Sequence, residues 1–171
     1  MCLVLCFVMQ LESIPHEKGV YILILRVESL ISLSLSIGFV VLEPGLYAYV
    51  GSARGVGGLR SRIERHLSKD KKRLWWHIDY LTSRPDVSVT CIIYVLTYMD
   101  LEKALANELC KANCWSPAVK GFGSSDKKSF SHLFKCICNT TTCINGALDI
   151  VKNLHRELEV GIIWLEHLIN S

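Results

Sequence analysis

No apolar stretch of this chain is long enough to cross a bilayer as a helix. The longest uncharged run, between Glu28 and Glu43, has fourteen residues. A spanning helix needs roughly 20, and the alternation of Ser with Leu or Ile here is a strand pattern. No membrane partner is expected. The apolar opening MCLVLCFVMQLES lacks a basic flank and a small-residue cleavage site. It reads as a first strand or a loose lead-in and not as a signal peptide, and a cytoplasmic location is the expectation. Charge is also scarce: a fifth of the 171 residues are charged and half are hydrophobic. That balance excludes a disordered chain and gives one domain with a proper core. The eight cysteines include Cys110-x3-Cys114 and Cys136-x-Cys138-x4-Cys143 but no paired C-x2-C knuckles. Reduced, buried thiols are therefore expected in preference to a zinc site or a disulfide. No internal repeat is visible.

Two phosphate-binding loops are missing as well. In YAYVGSARGVGGLRSRIERHL (Tyr47–Leu67) a strand, a glycine loop and a helix follow one another, as in a nucleotide cradle. The loop ends Gly58-Leu59-Arg60, with no Lys-Ser/Thr to reach phosphate and magnesium. Gly55-Val56-Gly57-Gly58 is not G-x-G-x-x-G either.

What is present is a regular alternation of elements. Gly19–Val27, one or two pieces of 29–42 broken at Gly38, and Leu46–Gly51 read as strands with a Pro44-Gly45 turn. Short links between them predict an antiparallel sheet. Gly58–Ser68 reads as a helix with a Leu59/Ile63/Leu67 stripe. RLWWHIDYL reads as a second helix, with Leu74, Ile78 and Leu81 inward, and PDVSVTCIIYVL as an inner strand. MDLEKALANELCKA reads as a third helix, capped by Asp100 and striped by Leu101, Leu105 and Leu109. FSHLFKC reads as a short strand, and the tail from Asn145 as helical with a break at Gly161. The expected fold is α/β: a small central antiparallel sheet with a three-stranded core, helices on both sides, and an added C-terminal helical segment. The expected organisation is a lead-in at 1–17, a body at 18–135 and a helical extension at 136–171, whose helices are a candidate homo-oligomer contact.

Between Arg54 and Arg73 eight basic residues face only two acids, Glu64 and Asp70, a footprint for a polyanion. Arg62 and His66, four apart on the helix, project side by side at the edge of the apolar stripe. The planar fork of arginine suits a phosphate. Arg54, Lys69, Lys71, Lys72 and Arg73, with Lys127 and Lys128 in a later loop, are the candidate nucleic-acid contacts. Of Trp75 and Trp76, one is a candidate to stack on an unpaired base and the other is assigned to the core.

The motifs GVY (Gly19–Tyr21), YVG (Tyr49–Gly51) and Arg62-x3-His66 resemble those of the GIY-YIG nuclease family. The ordered set of Tyr49–Ala53, Trp76–Leu81, Leu101–Leu105, Gly121–Asp126 and Ser131–Phe134 is similar to its Uri-type subgroup. The resemblance covers about 18–135 and implies a GIY-YIG-like domain there, hydrolysing a DNA phosphodiester with one Mg²⁺ or Mn²⁺. By this resemblance Tyr21 helps activate the attacking water, with Tyr49 beside it on the neighbouring strand. Arg62 stabilises the pentacovalent phosphate, His66 matches a histidine one turn after the arginine, and Glu102 holds the metal. Helical geometry alone leaves Glu102 and Glu108 equal, because both flank the leucine stripe. Gly19, Gly51, His77 and His132 are candidate supporting residues. A tyrosine with an ordinary pKa of about 10 needs nearby positive charge to act as a base, and an arginine and a metal supply it.

The chain departs from the family pattern in three places: a long interval between Tyr21 and Tyr49, Lys127-Lys128-Ser129 where relatives carry Cys-x-Cys, and a tail without a counterpart. A nucleic-acid-binding module that does not cut and a partner-binding structural protein are the rival readings.

Overall fold

The computed structural model describes residues 13–124, 129–154 and 158–165. Most of the lead-in, together with Lys127 and Lys128, lies outside them. In chain order the elements are β1 (Gly19–Val27), β2 (Ile31–Leu35), β3 (Gly38–Leu42), β4 (Gly45–Ala53), α1 (Gly58–Leu67), α2 (His77–Thr82), β5 (Val87–Leu96), α3 (Glu102–Lys111), β6 (Trp115–Pro117), β7 (Leu133–Cys136), α4 (Thr140–Leu154) and β8 (Val160–Trp164).

Eight of the nine β1 residues are buried, which is the signature of a strand covered on both faces. It lies inside a mixed α/β fold, in a sheet of order β6-β7-β4-β1-β5-β8. All neighbours in the sheet are antiparallel. The strand period of two divides its side chains between two cores. Tyr21, Leu23 and Leu25 join Tyr47 and Tyr49 under Leu59 and Ile63 of α1 and Ile78 and Leu81 of α2. Val20, Ile22 and Ile24 join Ala48 and Val50 under Leu105 and Leu109 of α3 and Ile144, Ala147 and Val151 of α4. Helices therefore cover both faces, as expected.

The three-stranded core is corrected to a sheet of six strands. β6 has three residues, too few to show a period, and the short strand expected in FSHLFKC is β7, which joins the sheet beside β4. β8 was hidden inside a segment read as helical, where Gly161 looked like a helix break. Gly161 instead lies opposite Tyr94 in the β5–β8 register, and a Cβ there would stand 2.1 Å from Tyr94 Cζ. The glycine makes room for a ring. The tail thus carries a helix and then a sheet strand.

The long interval between Tyr21 and Tyr49 holds a separate hairpin, β2–β3, whose Ile31, Val40 and Leu42 are buried in the same core as Tyr21. Three local expectations are also corrected. Leu101, not Asp100, caps α3, because Asp100 is turned to Arg54 at 3.0 Å. Cys136 and Cys143 form a disulfide where the end of β7 meets the start of α4, with Cα atoms 6.1 Å apart. Cys110 and Cys138 are exposed, and among the described cysteines outside the disulfide only Cys91 is fully buried. Neither Trp75 nor Trp76 is a core residue, since they are 60% and 42% exposed; the short α2 begins after them and its first turn is held by polar contacts. Among the described residues no helix is long and apolar enough to cross a membrane.

Candidate active site

Antiparallel pairing sets Tyr21 opposite Gly51 and Leu23 opposite Tyr49, so both tyrosines fall on the face covered by α1. An alanine Cβ at position 51 would lie 2.4 Å from the Tyr21 hydroxyl oxygen. Gly51 is therefore a space that lets the Tyr21 ring lie across β4. Gly19 does the same for the helix: a Cβ there would meet Val95 O at 2.4 Å and Leu59 Cδ1 at 2.8 Å. The chain turns into α1 through Gly57 and Gly58, at φ 88° and 56°, a left-handed backbone that side chains rarely adopt.

Helix α1 carries Arg62 and His66 over the tyrosines. The Tyr21 hydroxyl and His66 Nε2 are 2.7 Å apart, and the Tyr49 ring meets the imidazole edge-on at 6.2 Å between centroids. Burial, reinforced by the Arg62 charge, pushes the His66 pKa down to about 3. The imidazole is thus neutral near pH 7, and in the tautomer with its proton on Nδ1 Tyr21 donates and Nε2 accepts. The other nitrogen, Nδ1, is buried with no hydrogen-bond partner. Burial raises both phenols well above their ordinary range; Arg62 opposes the rise in each.

The guanidinium of Arg62 lies over the Trp76 ring, 3.9 Å from its centroid. Trp76 is fixed from below by Asp79, whose Oδ2 accepts the backbone N–H groups of Trp75 and Trp76 at 2.9 and 3.2 Å. Arg65 Nη2 donates to the same oxygen at 2.6 Å. Burial works to raise the Asp79 pKa, but these three donors outweigh it and hold the carboxyl below its ordinary range.

Glu102 opens α3, at the positive end of the helix dipole. Its Oε2 accepts from Ser52 Oγ, and Oε1 lies 3.2 Å from His132 Nδ1. The far nitrogen of His132 is 2.6 Å from Ser129 Oγ. Burial works against the Glu102 carboxylate, but His132, Ser52 and Arg62 prevail and keep its pKa below the usual range. Glu108 is on the outside, paired with Lys111 at 2.7 Å. Geometry thus separates two glutamates that the sequence left equal.

Tyr21, Tyr49, Arg62, His66, Glu102 and His132 all line one cavity of about 340 Å³, completed by Ser52, Trp76 and Gly123 among others. Other candidates lie elsewhere. His77 braces the hairpin and the 121–124 loop, with Nε2 at 2.8 Å from Ser36 Oγ and Nδ1 accepting from Gly123 N–H at 3.2 Å. Arg54 pairs with Asp100. The Lys69 ammonium donates to the carbonyls of Thr82, Arg84 and Val87, so this lysine ties α1 to the turn before β5 and is not turned outward for a phosphate. Lys71 donates to Ser68 O. Lys72 and Arg73 are exposed, and Arg73 stacks on Trp75, 4.1 Å from its centroid.

The family model for a domain of unknown function, DUF123, matches residues 20–154. The chain belongs to DUF123. Neither a curated protein nor a solved structure matches this DUF123 chain. The DUF123 match runs from β1 through α4, and so includes the cavity residues named above; β8 follows it. Sequence reasoning missed three polar supports of this DUF123 cavity: Ser52 on Glu102, Ser129 on His132, and Trp76 under Arg62. Ser52 was marked only by its place beside Gly51, Ser129 reaches His132 within one loop that has no period, and Arg62 meets Trp76 from a separate segment of the chain.

Proposed function

We propose that this chain is a metal-dependent DNA endonuclease of the GIY-YIG kind, near the Uri-type subgroup. The observation that supports it is the convergence, in one cavity, of a phenol hydrogen-bonded to a neutral imidazole, a guanidinium and a single carboxylate. These are a proton path, a phosphate clamp and a cation ligand. They come from β1, α1 and α3, which no short-range structural need brings together.

Among the described residues no three His, Cys, Asp or Glu side chains form a metal cage. The single carboxylate of Glu102 in a polar cavity suits Mg²⁺ or Mn²⁺. Mg²⁺ keeps several waters and binds through one or two carboxylates plus substrate phosphates. Glu102, kept ionised and facing an open polar cavity, is the residue that would hold it. When bound, such an ion polarises a phosphoryl oxygen and neutralises charge on the reacting phosphate.

The chain's own residues do the rest. Arg62, planed against Trp76, donates two parallel hydrogen bonds to the phosphate oxygens and stabilises the charge that grows there. Tyr21 orients the attacking water and accepts its proton while passing its own to His66 Nε2. The His66 pKa of the free protein is too low for that role, but a phosphate dianion-like transition state beside it supplies the counter-charge that raises it. Tyr49 walls the imidazole and keeps bulk water from it. His132 holds Glu102 in place.

The test is nicking of duplex, single-stranded and branched DNA with Mg²⁺, Mn²⁺ or EDTA. Wild type is expected to cut only with metal, and Arg62→Ala and Glu102→Gln are expected to lose about 10²-fold or more in rate. A wild type that binds DNA and never cuts overturns the nuclease reading in favour of a binding module. Cutting by both variants at the wild-type rate overturns the site.

A further inference from the structure

We propose that Trp75 is a stacking platform for an unpaired nucleobase, so that the substrate is single-stranded or splayed DNA; this rests on the nuclease reading for its choice of DNA. Trp75 is 60% exposed, and the Arg73 guanidinium covers part of its ring at 4.1 Å from the centroid. Its neighbour Trp76 lines the cavity and is already engaged by Arg62 at 3.9 Å and Arg65 at 5.0 Å. The two tryptophans thus have different tasks. Trp76 sets the arginine that meets the phosphate, and Trp75 is left for the next partner along. Trp76 has an extended backbone, φ −114° and ψ 156°, so the side chains of successive residues diverge, one to the cavity and one to solvent.

The platform is built before any ligand arrives. Arg65 Nη2 donates both to Arg73 O at 2.7 Å and to Asp79 Oδ2 at 2.6 Å, and the same carboxylate oxygen accepts the Trp75 N–H at 2.9 Å. The segment that carries Arg73 and Trp75 is therefore tied at both ends, and ordering it costs little on binding.

Charge selects the ligand. Lys72 and Arg73 are exposed beside the ring, and Arg62 and Arg65 follow toward the cavity, so the strip suits a phosphate backbone with a base laid on the indole. A base inside a duplex has neighbours on both faces. An unpaired base, unlike one in the interior of a duplex, offers a free face to Trp75.

The experiment separates binding from cutting. The full chain is titrated in EDTA with a fluorescein-labelled oligothymidylate, with a blunt duplex of equal length, and with an oligouridylate. Wild type is expected to bind the oligothymidylate at least tenfold more tightly than the duplex. Trp75→Ala is expected to lose roughly ten- to a hundredfold for the single strand with the duplex unchanged, and Trp75→Phe to keep most of the affinity. Equal binding of single strand by wild type and Trp75→Ala overturns the proposal, as does equal binding of single strand and duplex by wild type. Tighter binding of oligouridylate overturns the assignment to DNA. Trp75-dependent binding of a chain that never cuts with Mg²⁺ supports the platform and defeats the nuclease. Cutting of duplex that is indifferent to Trp75→Ala leaves the nuclease standing and defeats the platform.

Discussion

The Tyr21 hydroxyl on β1 and His66 Nε2 on α1 lie 2.7 Å apart, with the two side chains only 2% and 1% exposed. A buried phenol needs a partner, and a buried imidazole kept neutral offers one lone pair at Nε2. Tyr21→Phe removes the donor and keeps the ring. The stability loss is expected to be about 1 kcal/mol, read from urea denaturation. On the nuclease reading the rate of Mg²⁺-dependent nicking falls by about 10²- to 10⁴-fold. A phenylalanine variant that nicks like wild type would show that Tyr21 is a core aromatic and nothing more.

His66 also gives the fold a pH dependence of definite sign. Its pKa is about 3 in the native chain against an ordinary 6.5, so between those values the unfolded chain binds a proton that the native chain does not. Stability therefore rises with pH across this window and declines as the pH falls below about 6.5. The slope from this one group is at most about 1.4 kcal/mol per pH unit. His77, lowered by its own burial, acts in the same sense. The lowered carboxyls of Glu102 and Asp79 stabilise the fold above their ordinary pKa values and lose that contribution only at lower pH. Between pH 7 and 5 the histidines dominate. The urea midpoint is expected to drop over that range in wild type and much less in His66→Asn. A flat wild-type profile would mean that the native His66 pKa is not lowered, so that its imidazole takes up a proton over the same range as in the unfolded chain.

Asp79 is buried completely and neutralised by one arginine. Removing one partner of such a pair leaves an uncompensated group. Asp79→Ala also frees the N–H groups of Trp75 and Trp76. The expected loss is about 3 kcal/mol, below the upper end because Arg65 is 27% exposed on its side chain. Circular dichroism melts measure it. A tryptophan emission change in the still-folded protein, from movement of Trp75 and Trp76, distinguishes loss of the platform from a general loss of stability.

How much of this was legible beforehand depended on the range of each interaction. The apolar runs of β1, β4 and β5 and the apolar stripes of α1 and α3 are local patterns, and they gave the expectation of a sheet with helices on both sides. Arg62 and His66 sit four apart on one helix, so their adjacency was legible too. β7 was legible as the short strand of FSHLFKC, but β6 and β8 were not, because the length of one and the glycine of the other gave no period. The site's supports were the least legible. Ser52 meets Glu102 across 50 residues and His77 meets Ser36 across 41, and no pattern within a window of a few turns encodes such pairs. The fate of Lys69 illustrates the same point: a lysine in a basic run looks like a phosphate contact, and only the path of the chain at Thr82 to Val87 engages its ammonium with carbonyls.

Gly51 is where packing and the proposed chemistry depend on the same atom. Any side chain there begins with a Cβ 2.4 Å from the Tyr21 hydroxyl oxygen and 2.5 Å from Cζ. The obstruction is a ring held by His66, so relief requires the phenol to leave the imidazole. Gly51→Ala is expected to cost about 1–3 kcal/mol by overpacking. The clash names its own rescue. In a Tyr21→Ala background the ring is gone, and the alanine at 51 has space. The double variant is therefore expected to be less destabilised than the sum of the two single variants by about 1 kcal/mol or more. Urea denaturation of the four proteins gives the cycle. Additive effects would mean that β4 relaxes away from β1 without disturbing Tyr21, and the glycine would then have no bearing on the position of the phenol.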